Sequence, residues 1–243
     1  MPKIRLEDEK HFKIERKVFD QRTLMAIYKL LNKGTLKTVE SFANEGKESA
    51  VLSAKSASDE WLAVKIYRTK YCDFKTMWQY LAGDQRFAGI KKNRLAVVFN
   101  WCRREFKNLK IAYKAGVSCP EPIDFKENVL VIGFIGEDGK LAPRLIDLTF
   151  SKEDARIVYE DLIVQIKKLY AAGLVHTDLS AYNILFFDKL YMIDFSQAVQ
   201  LNHPRAAEFL IRDIKNISSY FKKFGVQTED EQELAEKIAR CKK

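Results

Sequence analysis

Four polar residues in the second half of the chain have the types and spacing that phosphoryl transfer requires. His176 and Asp178 open a stretch that ends at Asn183, and Asp194 follows two short apolar runs. This reaction needs an oriented nucleophile and one or two Mg²⁺ ions on the phosphates, with little covalent help from the protein. Asp178 is predicted to orient or deprotonate the attacking hydroxyl. Asn183 and Asp194 carry the oxygen ligands that Mg²⁺ or Mn²⁺ prefers.

A lysine in an apolar strand supplies the second part of the predicted site. Lys65 ends the run Leu62-Ala63-Val64-Lys65, and burying its charge is costly unless it is paired. Glu105 is the best partner, because no other acidic residue lies between Asp84 and Glu121. Lys65 is predicted to hold the α- and β-phosphates of ATP, oriented by Glu105. Taken alone, an edge-strand lysine with its head in water explains this residue equally well.

A polar turn and a set of apolar residues complete the expected nucleotide site. The turn between the first two strands contains Gly46, Lys47, Glu48 and Ser49, with one glycine where a G-x-G-x-x-G loop has three. The backbone at Gly133 and Ile135 is expected to bind the edge of the adenine ring. Its faces are expected to contact Val51, Ala63, Ile132, Phe134, Leu185 and Ile193.

The elements that must position these residues form a sheet-rich half followed by a helix-rich half. A helix capped by Asp20 precedes three strands, at Thr35–Phe42, Ala50–Ala54 and Trp61–Tyr67. Residues 71–99 show no clear periodicity and are expected to be an irregular or mobile insertion before a helix at Arg103–Ala115. A strand follows at residues 129–132. The second half is expected to hold helices at 153–172, 205–224 and 229–240 and a hairpin at 184–193.

This order predicts an α+β, bilobal fold with a ligand groove between the lobes. The upper lobe is an antiparallel sheet with one main helix, and the lower lobe is helical. We expect three parts: residues 1–34 as a helical extension, 35–136 as the upper lobe and 137–243 as the lower lobe, with a polar linker at 137–140.

The composition excludes several classes of protein. The 243 residues are 47% hydrophobic and 31% charged, a balance typical of a globular chain. No apolar run approaches the roughly 18 residues of a membrane span, and residues 1–17 do not read as a secretory signal. Four scattered cysteines without a C-x-x-C pair make a zinc site or a disulfide scaffold a poor fit. We therefore expect a cytoplasmic protein without membrane attachment.

The chain resembles the RIO family of atypical protein kinases, and within it the Rio-one branch in an archaeal-like minimal form. The motifs that carry the likeness are Gly46-Lys47-Glu48, Val64-Lys65-Ile66-Tyr67-Arg68, Arg104-Glu105-Phe106-Lys107-Asn108-Leu109, Phe134 to Gly139, His176 to Asn183, and Ile193 to Val199 with His203-Pro204. The likeness covers residues 20–225. Independently, no A-P-E motif follows Asp194, so an ordinary activation segment is not expected.

The resemblance implies a protein-kinase-like fold and a Mg²⁺·ATP-dependent serine/threonine kinase or ATPase. It further implies autophosphorylation on serine, a phosphorylated aspartate at Asp194 that makes this residue catalytic alongside Asp178, and a role in maturing the small ribosomal subunit. Five positions depart from the family pattern. Asn44 and Glu45 replace Ser-Thr, Thr177 replaces Gly, Ala181 replaces Glu, and Gly133 stands where Glu is usual.

Two other functions remain open at this stage. Small-molecule kinases of the aminoglycoside or choline type share the H-x-D-x-x-x-x-N loop and also lack A-P-E. A ribosome-binding module that uses ATP only as a conformational ligand would need the same nucleotide site.

The positive charge is concentrated beside the predicted nucleotide groove. The chain carries a net charge of +9, and residues 65–114 alone contain 13 Lys or Arg against 3 Asp or Glu. The cations Lys70, Lys75, Arg86, Lys91, Lys92 and Arg94 alternate with the aromatic residues Tyr71, Phe74, Trp78, Tyr80 and Phe87. This composition suits the RNA backbone and base stacking, and hence precursor ribosomal RNA as a partner. A solvated helix face is the alternative.

Overall fold

The computed structural model describes residues 19–240, and the predictions for residues 1–18 lie outside this range. Five strands form one antiparallel sheet in the spatial order β1-β2-β3-β5-β4. Their bounds are β1 Thr38–Glu45, β2 Ser49–Lys55, β3 Trp61–Tyr67, β4 Pro122–Lys126 and β5 Val129–Gly133. β1 begins and ends three residues later than predicted, because Asn44 and Glu45 still pair with Val51 and Ala50. The turn to β2 is therefore short.

β3 is buried on both faces, because side chains alternate across a strand. Leu62, Val64 and Ile66 belong to the apolar cluster on the back of the sheet. Ala63 and Lys65 point the other way, into a cleft. Because side chains alternate along β3, Lys65 faces the cleft while its neighbours Val64 and Ile66 pack in the core.

The first described helix, α1 (Gln21–Asn32), covers the back of the sheet. Asp20 caps it by accepting a hydrogen bond of 2.8 Å from the Thr23 backbone N–H, and Gly34 ends it in the left-handed region. Leu24, Ile27 and Leu30 are among its buried residues. Each such side chain contributes about 2 kcal/mol by burial.

The segment between β3 and the main helix is helical, so the prediction of an irregular insertion at residues 71–99 was wrong. It forms α2 (Phe74–Ala82), a 3₁₀ turn (Gln85–Phe87) and the first two turns of α3 (Arg94–Lys114). Asp73 caps α2, and Met77 and Leu81 are buried at helical spacing. The apolar positions 74, 77, 78 and 81 follow the i, i+3, i+4, i+7 pattern, so the signal was present in a short element.

The main helix α3 begins nine residues earlier than predicted. Asn93 caps it through a hydrogen bond of 2.9 Å to the Ala96 N–H. Val97, Val98, Trp101 and Cys102 continue its buried face towards the N-terminus. The sequence does not reveal this buried face, because residues 103 and 104 are both arginines and arginine is usually exposed. Arg104 is nevertheless fully buried.

The lower lobe is helical, as predicted. It contains α4 (Lys152–Ala171), α5 (Ala206–Lys222) and α6 (Glu231–Arg240), and the predicted hairpin is present as β9 and β10. The short strands that follow β5 in the chain are β6 Gly136–Glu137, β7 Lys140–Leu141, β8 Leu174–Val175, β9 Ile184–Phe186, β10 Leu190–Met192 and β11 Val199–Gln200. On α4, residues 162, 163, 166 and 169 are buried, and Tyr170 is partly buried.

The link between the lobes is a tight hairpin, β6–β7, rather than an open linker. Gly136 has φ 145°, and a Cβ there would lie 2.1 Å from the carbonyl oxygen of Lys140. Only glycine fits this turn.

After Asp194 the chain enters β11, which pairs with β8, and then α5. No activation segment lies between them, which confirms that expectation. Among residues 19–240, no helix combines the length and the apolar character that a membrane span requires. The described cysteines, Cys72, Cys102 and Cys119, are buried and unpaired, and Cys241 lies outside the described residues.

Candidate active site

A cleft of about 520 Å³ lies between the five-stranded sheet and the β9–β10 hairpin. Most of the residues predicted to bind nucleotide or metal line it. They are Ser49, Val51, Ala63, Lys65, Glu105, Ile132, Gly133, Ile135, Asn183, Leu185, Ile193 and Asp194. These positions come from β2, β3, α3, β5 and β9 and from the loops between elements, so their convergence is a property of the fold.

Lys65 bridges two carboxylates at the back of the cleft. Its Nζ lies 2.8 Å from Glu105 Oε1 and 3.0 Å from Asp194 Oδ1. Glu105 is buried, whereas the Asp194 side chain is 38% exposed and faces the cleft. Asp194 can therefore contact a ligand, while Glu105 acts on Lys65.

The pKa values of Lys65 and Asp194 favour their charged forms, whereas burial raises the pKa of Glu105. Burial by itself would lower the pKa of Lys65, but Asp194 and Glu105 outweigh it and raise that pKa above its ordinary value. Burial acts to raise the pKa of Asp194, yet the Lys65 charge and the Ser196 hydroxyl bring it down to about 2. The site therefore holds a cation beside an exposed anion at neutral pH.

Tyr67 adds a partner that the sequence reasoning missed. Its hydroxyl donates to Glu105 Oε2, so both carboxylate oxygens of Glu105 are bound. Tyr67 lies two residues after Lys65 on β3 and therefore on the same face. This spacing of two residues could have identified Tyr67 as a further residue of the site.

Asp178 does not itself line the cleft, but it is hydrogen-bonded to Asn183, which does. The Asn183 side-chain nitrogen donates to the carbonyl oxygen of Asp178 (2.8 Å) and to its Oδ2 (3.1 Å). Partial burial and the nearby charge of Asp194 raise the pKa of Asp178. A raised pKa makes a carboxylate a better proton acceptor.

A buried aspartate that the sequence reasoning missed fixes the backbone on either side of Asp178. Asp213 of α5 accepts hydrogen bonds from the N–H groups of Thr177 (2.7 Å) and Leu179 (3.1 Å). The His176 Nε2 atom lies 3.0 Å from the Ile193 carbonyl oxygen, which links this loop to the strand before Asp194.

The donors at the front of the cleft suit a divalent cation shared with phosphates. Because the Asn183 nitrogen donates to Asp178, its amide oxygen faces away from that residue. Lys65 and Ser196 bind Oδ1 of Asp194, which leaves Oδ2 for a cation. Within residues 19–240, no three His, Cys, Asp or Glu side chains cluster closely enough to hold a metal. Mg²⁺ would therefore take further oxygens from phosphate or water, as it commonly does.

The turn after β1 is placed beside the cleft. Asn44 and Ser49 line it, whereas Gly46, Lys47 and Glu48 do not. Glu45 turns away and pairs with Arg68 at 2.5 Å. The negative charge that Glu45 brings to this turn is thus neutralised outside the cleft.

The predicted adenine region is formed in part. The ring of Phe134 packs beside Trp61, with centroids 6.0 Å apart, and does not line the cleft. The N–H of Gly133 donates to the Glu121 carbonyl oxygen at 2.8 Å. Several further residues line the cleft that no sequence motif predicted. They are Leu109, Pro120, Leu141, Ala142, Pro143, Arg144, Asp147 and Tyr182.

This architecture defines the class. A β3 lysine paired with a glutamate of the long helix, facing an H-x-D-x-x-x-x-N loop and a following aspartate, is the arrangement of the protein kinases. The family profile described as RIO domain matches residues 50–234, more than half of the chain. The chain belongs to the RIO kinase family.

Curated relatives agree with this membership. The chain is 41% identical over 228 residues to the RIO-type serine/threonine-protein kinase Rio1 of Haloferax volcanii, covering 93% of this chain and 78% of that protein. It is 36% identical over 236 residues to the serine/threonine-protein kinase RIO1 of Homo sapiens, covering 96% of this chain and 42% of that protein. The chain thus spans less than half of the human relative. Membership makes it an enzyme of the serine/threonine-protein kinase class.

A solved structure confirms the fold. The Rio2 kinase-ADP/Mg²⁺-phosphoaspartate complex from Chaetomium thermophilum superposes with a TM-score of 0.67 at 21% identity, covering 87% of this chain and 64% of that one. The bilobal kinase-like architecture is therefore established.

Proposed function

We propose that this chain is a Mg²⁺·ATP-dependent serine kinase and ATPase that acts in small ribosomal subunit maturation. The observation that carries the enzymatic part is Lys65, which lies between buried Glu105 and exposed Asp194 at the back of a cleft large enough for a nucleotide. The ribosomal part rests on the family resemblance and on the basic surface described below.

Each residue of the site has a role in this proposal. Lys65 binds the α- and β-phosphates, and Glu105 orients it. The apolar side chains of Val51, Ala63 and Leu185 contact the adenine ring. Mg²⁺, held by Asn183 and Asp194, would neutralise charge on the phosphates. Asp178 orients the attacking hydroxyl and accepts its proton.

Asp194 has a second role in the ATPase cycle. One of its carboxylate oxygens attacks the γ-phosphorus of ATP, the bond to the β-phosphate bridging oxygen breaks, and ADP leaves. Water then hydrolyses the acyl phosphate and releases phosphate. The Chaetomium Rio2 structure named above contains a phosphoaspartate, which supports this step for a relative.

The aspartate step is tested with γ-³²P-ATP. Wild type should retain label that hydroxylamine removes, because hydroxylamine cleaves acyl phosphates and spares phosphoserine. Asp194→Asn should lose this fraction and most Mg²⁺-dependent turnover. Hydroxylamine-resistant label alone in the wild type would contradict a phosphoaspartate and leave serine phosphorylation standing.

The basic segment between β3 and α3 offers a surface suited to an RNA backbone. Fewer of its cations and aromatic residues are available for binding than the sequence predicted. Lys70, Lys75, Lys91, Lys92 and Arg94 are exposed. Arg86 instead donates to Asp84 and Asn108 inside the protein. Phe87 is buried and cannot stack on a base, whereas Tyr71 is 64% exposed.

Charge reversal separates RNA binding from a solvated face. Changing the five exposed cations to Glu should weaken binding to small-subunit ribosomal RNA and lower the salt dependence, by up to about 0.7–0.9 in the slope of log K on log [salt] for each lost contact. The matched control changes five exposed lysines elsewhere, Lys126, Lys167, Lys189, Lys215 and Lys223. Equal losses in the two variants would argue against a specific RNA surface.

The proposed ATP hydrolysis and the proposed RNA binding would be coupled if ATP controlled the association with the small ribosomal subunit. Co-sedimentation of wild type and Asp194→Asn with small subunits, with and without ATP, tests this coupling. We expect ATP to release the wild type and to leave the variant bound. If ATP hydrolysis is absent with and without subunits, the nucleotide is a conformational ligand only.

A further inference from the structure

The four residues after Asp194 present their backbone carbonyls to two buried side chains of α3. Arg104 donates from Nη1 to the Ser196 oxygen (2.7 Å) and from Nη2 to the Ala198 oxygen (3.0 Å). Asn108 donates from Nδ2 to the oxygens of Phe195 and Ala198, both at 2.9 Å. Both side chains are fully buried, so water does not compete for these contacts.

A second layer fixes these two side chains from the 3₁₀ turn at Gln85–Phe87. Asp84 Oδ2 accepts from Arg104 Nε at 3.2 Å and from Arg86 Nη2 at 2.6 Å. The same Arg86 nitrogen donates to Asn108 Oδ1 at 2.9 Å. Arg104 and Arg86 therefore share the carboxylate of Asp84, and the amide of Asn108 is held in one orientation.

The held segment determines where the Asp194 carboxylate points. Asp194 has φ 62°, a left-handed conformation that costs a residue other than glycine energy and requires support from its surroundings. Ser196, whose carbonyl Arg104 binds, donates its hydroxyl to Asp194 Oδ1 at 2.6 Å. α3 also carries Glu105, so one helix fixes Lys65 and the segment after Asp194 together.

We propose that Arg104 and Asn108 are positioning residues for Asp194, set in place by the Asp84–Arg86 pair. They bind neither nucleotide nor metal. They hold residues 195–198 so that the Asp194 carboxylate meets a nucleotide-bound Mg²⁺, and the segment between β3 and α3 is thereby part of the metal-binding machinery. This inference rests on the Mg²⁺·nucleotide function proposed above.

A matched pair of asparagines separates positioning from simple stability. Asn108 and Asn128 are both fully buried, and each donates two hydrogen bonds from Nδ2. Asn128 bonds to Thr23 Oγ1 and to the Tyr67 carbonyl oxygen, away from residues 194–198. Asn108→Ala and Asn128→Ala should therefore lose comparable stability while differing at Asp194.

The measurement is the affinity for ADP with Mg²⁺ and with EDTA, and the amide hydrogen exchange of residues 194–199. In Asn108→Ala we expect the Mg²⁺-dependent gain in affinity to fall at least about 10-fold, as for losses of groups that orient metal ligands. Affinity in EDTA should stay within about twofold. Exchange at 194–199 should accelerate. Asn128→Ala should retain the Mg²⁺ gain and the wild-type exchange of this segment.

Asp84→Asn is the second variant, since it removes the charge partner of Arg104 with little change of shape. It should lower the Mg²⁺ gain in the same direction and takes the place of Asn108→Ala if that protein does not fold. An unchanged Mg²⁺ gain and unchanged exchange at 194–199 would overturn the positioning role, as would equal losses in the two asparagine variants. A wild type without any Mg²⁺ gain would overturn the proposed nucleotide function itself.

Discussion

Thr177 shows how a residue that departs from the family pattern is tolerated. The resemblance to the RIO family implies glycine at this position, and the φ of Thr177, 71°, lies in the left-handed region. Such a conformation costs a β-branched residue about 1–3 kcal/mol. Asp213 binds its N–H, Arg212 binds its carbonyl oxygen, and its hydroxyl donates to the Gln197 oxygen at 3.1 Å. The surroundings therefore hold the backbone that glycine would adopt freely.

The same loop makes a pH-dependent contribution through His176. Burial lowers the pKa of this side chain from 6.5 to about 4. The unfolded chain therefore binds the proton more readily between these values, and His176 costs stability as the pH falls from 6.5 to 4. The full effect is about 3 kcal/mol. Burial raises the pKa of Asp213 to about 7, and this acts in the opposite direction over an overlapping range.

A difference measurement isolates the histidine. The free energy of unfolding of wild type minus that of His176→Gln should decrease by up to about 3 kcal/mol between pH 7 and pH 4, because the Asp213 contribution cancels. Urea titrations at half-unit pH intervals give this difference. A pH-independent difference would show that His176 is not buried in its neutral form.

At the scale of elements, the β6–β7 hairpin ties the upper sheet to the lower lobe next to the cleft. Ile135 accepts from the Ala142 N–H at 2.9 Å, and both residues line the cleft. The sequence predicted a boundary here from four polar residues. It could not predict the hairpin, because the need for glycine at residue 136 arises from contacts with residues 140–142.

Gly136→Ala tests the role of the β6–β7 hairpin, and Gly116→Ala, at a glycine with open space around it, is the control. The added Cβ meets backbone atoms at φ 145°, so we expect a loss of at least about 2 kcal/mol in unfolding free energy and a weaker affinity for ADP. Gly116→Ala has φ 71° with nothing within 4 Å, and should cost about 1 kcal/mol without changing ADP affinity. Equal behaviour of the two variants would contradict the assigned role of the hairpin.

Local patterns predicted most elements of this fold and missed the contacts between distant residues. The apolar run Leu62 to Val64 placed Lys65 in a strand. Because Glu105 is the only acidic residue between Asp84 and Glu121, it was predicted to be the partner of Lys65, as found at 2.8 Å. The ties from Arg104 to residues 196–198 join positions more than 90 apart in sequence. Nothing local marks Arg104 as buried, since arginine on a basic helix is ordinarily exposed.

For the whole molecule, two lobes that meet at one cleft explain why the site residues are so scattered in sequence. The β3 lysine and α3 glutamate come from the upper lobe, and Asp178, Asn183 and Asp194 come from the loops of the lower lobe. Without an activation segment, the chain passes from Asp194 through β11 directly to α5. The exposed cations Lys70, Lys75, Lys91, Lys92 and Arg94 belong to the segment that runs from the end of β3 to the first residue of α3 in the upper lobe.

The central claim is that this cleft transfers a phosphoryl group with Asp178 acting on the nucleophile. The most direct measurement compares Mg²⁺·ATP turnover and nucleotide affinity in wild type and Asp178→Ala. Turnover in the variant should fall at least about 100-fold, the typical contribution of a general base, while ADP binds within about threefold of wild type. Near-wild-type turnover in a folded Asp178→Ala protein would contradict the account.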